Sequence, residues 1–103
     1  MSTLEAEPRA ARARTIAVTK NTLTVDLHDG RTVSVPIAWY PRLSNGSEAE
    51  RNNWRLIGDG VGIHWPDLDE DISVEALLLG YPSKESPVSV QQWLDRRQDR
   101  SQS

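Results

Sequence analysis

The chain has no cysteine, and this excludes disulfides, thiolate-ligated metals and a cysteine nucleophile. Nothing therefore assigns it to an oxidising compartment. Long apolar runs are also missing. The opening MSTLEAEPRAARARTIAV holds no block of signal-peptide length, and the longest apolar runs elsewhere are only a few residues, too short to cross a bilayer. The chain reads as soluble and cytoplasmic, with no membrane partner. No serine lies in a G-x-S-x-G elbow, and GDGVG at Gly58–Gly62 is followed by no Lys-Ser/Thr, so it is no phosphate loop. Basic residues are absent from one long stretch. Between Leu56 and Ser83 there is no Lys or Arg, against six acids, Asp59, Asp67, Asp69, Glu70, Asp71 and Glu75. A strongly basic nucleic-acid face is thus missing from the body, although the net charge of −3 is mild.

What is present fits one small domain of 103 residues with a thin core. Residues 1–13, with Pro8 and alternating charges, have little to bury and read as a disordered leader; 14–98 read as the domain and 99–103 as a disordered tail. From Arg14 the pattern has period two. Ile16 and Val18, then Leu23, Val25 and Leu27, then Val33, Val35 and Ile37 alternate with polar neighbours. Lys20–Asn21 and Asp29–Gly30 are turn signals, so a three-stranded antiparallel meander is predicted. Pro36 lacks a ladder donor, so the third strand should end there or lie at an edge, and such a free edge would support a homodimer without requiring one. Ser47 and Glu50 have capping-box spacing and predict a helix over about 48–53. WRLIGDGVGIHW returns to strand character. Ser73 is expected to cap a short helix from Val74 to Leu79, closed by Gly80, and Val90, Trp93 and Leu94 mark a final amphipathic segment. The expected class is α+β, a three- to four-stranded antiparallel meander with short helices on one face.

One cluster invites chemistry. Asp67, Asp69, Glu70 and Asp71 fall within five positions. They lack the glycine and distal Glu of a calcium loop, and His64 has no second histidine near it for zinc. Their bland role is to precede the helix after Ser73, where the macrodipole favours negative charge. Four carboxylates exceed that need and repel one another, which also suits an acidic patch meeting a basic partner. The aromatic balance is odd, with four Trp and no Phe. Trp39, Trp54 and Trp65 sit at joints between elements, where core packing is the plain role. Trp39, Tyr40 and Arg42 make the best candidate for an exposed aromatic corner that anchors a protein. His28 and His64 alternate with apolar neighbours and should face away from the core. The Arg-bearing ends, PRAARAR and DRRQDR, read as solvated, with nonspecific phosphate contact as the alternative.

The stretch from Leu23 to Gly80 resembles one family closely, in the DGR turn, VPIAWYPRL, EAERNNW, GIHWPDLDEDIS and LLLG. That family is catalogued as domain of unknown function 2442, and the resemblance spans about residues 15–80. It implies a small bacterial or phage-borne α+β domain with a β-meander. It also implies a small partner protein encoded alongside, an arrangement read as a toxin–antitoxin pair. Longer members carry a C-terminal helix-turn-helix, for which this chain has no room beyond Gly80. The resemblance carries over no catalytic residue; it marks Asp29, Gly30, Trp39, Tyr40, Pro41, Arg42, Trp65, Asp69, Glu70 and Asp71 as part of the pattern.

The residues and the resemblance together predict a non-catalytic binding protein without cofactor or metal, antitoxin-like in a two-protein module. Its partner-binding residues are expected to be Trp39, Tyr40, Arg42, Asp67, Asp69, Glu70 and Asp71. The alternatives are a nucleic-acid-binding regulator using the Arg-rich ends, and a carboxylate metal-binding protein or enzyme using His64.

Overall fold

A computed structural model describes residues 11–102, with the backbone alone at 99–102. Strands β1 (Ala13–Val18), β2 (Thr22–Leu27) and β3 (Thr32–Pro36) form the expected antiparallel meander. Leu23, Val25, Leu27 and Val35 are buried on its inner face, as alternation demands. The outer face is polar: Thr15 and Thr32 both donate to the Asp26 carboxylate, at 3.1 and 2.7 Å. The third strand ends at Pro36 on a sheet edge.

The described elements run past both boundaries drawn from the sequence. β1 starts at Ala13, with Ala11 and Ala13 in the core, ahead of the boundary set at Arg14. Two features permit this. The register slips between Ala13 and Thr15, so that Ala13 and Ile16 both turn inward despite their odd spacing. Gly60 also lies against this strand, where a Cβ would stand 2.5 Å from the Ala13 carbonyl oxygen. At the other end the last helix continues to Gln102, beyond residue 98. Residues 1–10 and 103 lie outside the described residues.

After β3 the chain makes a 3₁₀ turn (Ile37–Trp39), a short helix α1 (Pro41–Ser44) and helix α2 (Glu48–Asn52). The predicted capping box is present: the Glu50 amide donates to Ser47 Oγ at 3.1 Å and the Ser47 amide donates to Glu50 Oε1 at 2.9 Å. A second three-stranded antiparallel sheet follows, of β4 (Arg55–Ile57), β5 (Gly62–Trp65) and β6 (Glu70–Ser73). The six strands exceed the expected three to four; β6 carried no strand signal because three of its four residues are polar. Helix α3 (Val74–Leu79) is capped by Ser73, whose Oγ accepts from the Ala76 amide at 3.3 Å, and closed by Gly80 at φ +80°. Helix α4 (Pro87–Gln102) completes the chain.

The two sheets and the helices share one core. Trp65, Leu68, Leu43, Ile63 and Val74 are fully buried there with the inner face of the meander, and Trp93 brings α4 onto it. The Trp65 indole N–H donates to the Arg51 carbonyl at 2.9 Å, satisfying its one polar atom in the interior.

Candidate functional site

Strand register scatters the acidic cluster. In the second sheet Trp65 pairs with Glu70, Ile63 with Ile72, and His64 with Asp71. Successive side chains alternate between faces, so Glu70 shares the core face with Trp65 while Asp71 points outward. Asp69 stands in the preceding turn at φ +51°, and its carboxylate reaches Arg42 Nη1 at 3.6 Å. Asp67 accepts from the Asn53 side-chain amide at 2.9 Å. Each carboxylate has its own neighbour, and this relieves the mutual repulsion expected from their spacing. The helix-mouth role is corrected as well. Glu70 and Asp71 belong to a strand, and the acid in the first turn of α3 is Glu75.

The aromatic corner is likewise an inward feature. Tyr40 is 4 % exposed and its hydroxyl donates to the Tyr81 carbonyl at 3.3 Å, while Trp39 is half-buried. The Arg42 side chain is 13 % exposed and its guanidinium is committed to Glu85 and to the carbonyls of Leu68 and Asp69. It also lies 5.1 Å from the centroid of the Trp93 ring, with Arg97 at 4.7 Å from the same ring. Tyr40 and Arg42 are thus engaged within the fold, where the sequence reading expects an exposed corner. Sequence reasoning missed Glu85 and Arg97, since nothing local links positions separated by more than forty residues.

Glu70 is the most perturbed group. Burial drives its carboxyl up to about 7; the Asp71 amide and nearby Arg42 offset part of that, and Glu85 and Asp71 add to it. One carboxyl oxygen, Oε2, is buried without a hydrogen bond. Burial, reinforced by the Glu70 charge, raises the Tyr40 hydroxyl to about 12. The Glu70 carboxyl and the Tyr40 hydroxyl lie on the core side of the fold, so their perturbation bears on stability.

The surface that stands open is the other face of the second sheet. Register places two rows on it: Ile57, Gly62 and Ser73, then Arg55, His64 and Asp71. In the second row His64 Nδ1 is hydrogen-bonded to Asp71 Oδ1. Of the four acids only Asp71 meets His64, and it does so on an open sheet face. Beside the rows lies a groove of about 510 Å³ lined by Ile57, Val61, Gly62 and Ile72, with Asp71 and Glu75 on its rim and no Lys or Arg in its lining. Ile57 and Val61, which both line the groove, are 41 % and 42 % exposed. The signal was present in GIHW, whose period of two sends Gly62 and His64 outward together. Among the described residues, no group of three or more His, Asp or Glu is placed to hold a metal ion. No helix among them is long and apolar enough to cross a membrane. Of the Arg residues near the ends, Arg12 lies 3.9 Å from Asp59 and Arg97 pairs with Glu50 at 2.7 Å.

A family model described as "Protein of unknown function (DUF2442)" matches residues 13–83, more than half of the chain. A crystal structure of a protein of unknown function from Rhodospirillum rubrum is similar with a TM-score of 0.63 and 27 % identity, over 73 % of this chain and 93 % of that one. A solution structure of an uncharacterised protein from Chromobacterium violaceum is similar in fold, with a TM-score of 0.61 and 16 % identity over 71 % of this chain and 69 % of that one. No curated protein matches.

Proposed function

The chain belongs to the DUF2442 family, proteins of unknown function, and we propose that it is a non-catalytic binding protein, the antitoxin-like half of a two-protein module. The observation that carries this reading is the groove on the open face of the second sheet. Two of its aliphatic residues, Ile57 and Val61, are left in water, and its charged lining residues, Asp71 and Glu75, are acidic. Isolated apolar side chains on a surface are ordinary, but two of them beside a concave wall with charges of one sign suit a partner. The occupant we assign is a protein segment with aliphatic and basic side chains. The acids would steer its approach and set orientation, and burial of Ile57 and Val61 would slow its departure. Of the expected binding set only Asp71 lines the groove; Ile57, Val61 and Glu75 join it in this reading, and Trp39, Tyr40, Arg42, Asp67, Asp69 and Glu70 fall outside it.

Co-expression of the full chain with the products of the genes that flank its own, followed by purification and calorimetry, tests this. A complex is expected, weakened at least tenfold by Ile57→Asp and by Asp71→Lys combined with Glu75→Lys. A complex indifferent to these changes, or no complex at all, overturns the reading.

A further inference from the structure

Helix α4 is seated on the body through few side chains. Trp93, 5 % exposed, is the one buried residue of α4 among those described, and the other buried apolar residues lie between Ala11 and Leu77. Leu94 adds a half-buried contact. Polar ties complete the seat. Ser89 Oγ donates to Glu85 Oε2 at 2.7 Å, and Arg97 Nη2 donates to Glu50 Oε1 at 2.7 Å. The Arg42 and Arg97 guanidiniums lie 5.1 and 4.7 Å from the centroid of the Trp93 ring. The chain is held to the body up to Glu85: the Ser83 amide donates to the Trp39 carbonyl at 3.1 Å, and Arg42 clamps the Glu85 carboxylate. Ser86 belongs to the helix instead. Its Oγ accepts from the Ser89 amide at 3.1 Å, and its carbonyl accepts from the Val90 amide at 3.0 Å. A swing at the Glu85–Ser86 junction therefore breaks the Ser89–Glu85 bond, the Trp93 contacts and the Arg97–Glu50 pair, and leaves the Arg42–Glu85 fork intact.

From this division we infer that α4 is a salt-sensitive latch: it leaves the body as one unit, hinged at Glu85–Ser86, while the two sheets stay folded. The inference is independent of the groove on the second sheet. Segments with few buried apolar contacts open at a lower free energy than the core they rest on. The Arg97 and Glu50 side chains are 27 % and 24 % exposed, wet enough for salt to weaken their pairing. The screening length falls from about 10 Å at 0.1 M salt to about 3 Å at 1 M. The attraction of a guanidinium to an aromatic face is electrostatic as well. Away from the body a helix of 16 residues is marginal in water, so its amides lose protection whenever the latch opens. Opening bares the Trp93 ring and the Arg42 side chain against it, which is 13 % exposed in the closed state. An apolar ring and a fixed guanidinium are thus offered to solvent only when the latch is open.

Native-state hydrogen exchange on the full chain tests this, comparing the amides in the middle of α4 with those of β2 and β5. At low salt the α4 amides should be protected, but at least tenfold less than the slowest sheet amides and with a weaker dependence on denaturant. Raising NaCl to about 1 M should cut α4 protection at least threefold. Arg97→Gln should cut it as much at low salt and leave a smaller salt response. Trp93→Ala should abolish protection in α4 while β2 and β5 remain protected. Gln92→Lys, at an exposed position of the same helix, is the control and should change nothing. A common protection and denaturant dependence for α4 and the sheets would overturn the inference, as would loss of both together in Trp93→Ala. So would α4 amides that are indifferent to salt, or unprotected from the start.

Discussion

Arg42 and Glu85 meet in a forked ion pair, with Nη2 at 2.7 Å from Oε2 and Nε at 3.0 and 3.1 Å from the two carboxylate oxygens. Their side chains are only 13 % and 14 % exposed, so the pair sits at the edge of the interior, where it ties α1 to the segment leading into α4. Removing one partner strands the other charge. Arg42→Met should therefore cost about 3–5 kcal/mol, and adding Glu85→Leu should recover part of the loss. Urea unfolding of the two variants decides this; a double variant that is no better than the single one would contradict it. The pair also lowers the Glu85 carboxyl below its ordinary range, through the hydrogen bonds from Arg42 and then from Ser89 against a burial cost. A carboxyl depressed in the folded state contributes stability at pH above its unfolded value of 4.5, and that contribution is lost as pH falls through the folded value.

Glu70 has the opposite sign. Its folded carboxyl keeps a proton until about pH 7, whereas the unfolded chain releases it near 4.5. The folded state binds more protons across that window, so stability falls as pH rises through it and levels off above about 7. Glu70→Gln removes the ionisation while keeping the shape. It should flatten the slope between pH 5 and pH 8 and be more stable than the parent at pH 8, by on the order of 2–3 kcal/mol. Denaturant midpoints at the two pH values are the measurement, and an unchanged slope in the variant would reassign the effect to another group.

Trp65 combines complete burial with a hydrogen bond to the Arg51 carbonyl at 2.9 Å. Trp65→Phe both opens a cavity and leaves that carbonyl without its donor. The expected loss is about 2–4 kcal/mol, larger than the cavity alone would give. Equilibrium unfolding measures it; a loss under 1 kcal/mol, on the order of a surface change, would show that the site collapses or admits water.

Gly80 closes α3 in the left-handed region at φ +80°, and a Cβ added there meets nothing within 4 Å. The cost of Gly80→Ala is thus conformational alone, about 1–2 kcal/mol. For a domain of this size that corresponds to a thermal midpoint lower by roughly 4–15 °C. An unchanged midpoint would mean that the helix ends in another way in solution.

Features carried by neighbours along the chain were legible before any coordinates. The meander followed from alternation and turn residues, α2 from Ser47 and Glu50, and α3 from Ser73 and Gly80, because strand periodicity, capping and positive φ are all decided within a few residues. The acidic residues were visible as a cluster, but a run of carboxylates has no face until a register is assigned. Once Trp65 pairs with Glu70, a single residue step separates a carboxyl pressed into the core from one standing in solvent beside His64. The same holds for Tyr40 and Arg42, whose burial depends on Tyr81, Glu85 and Trp93 arriving from the far end of the chain. Local rules determined most of the elements; long-range pairing made a strand of the polar β6 and decided which side chains the elements would hide and which they would offer.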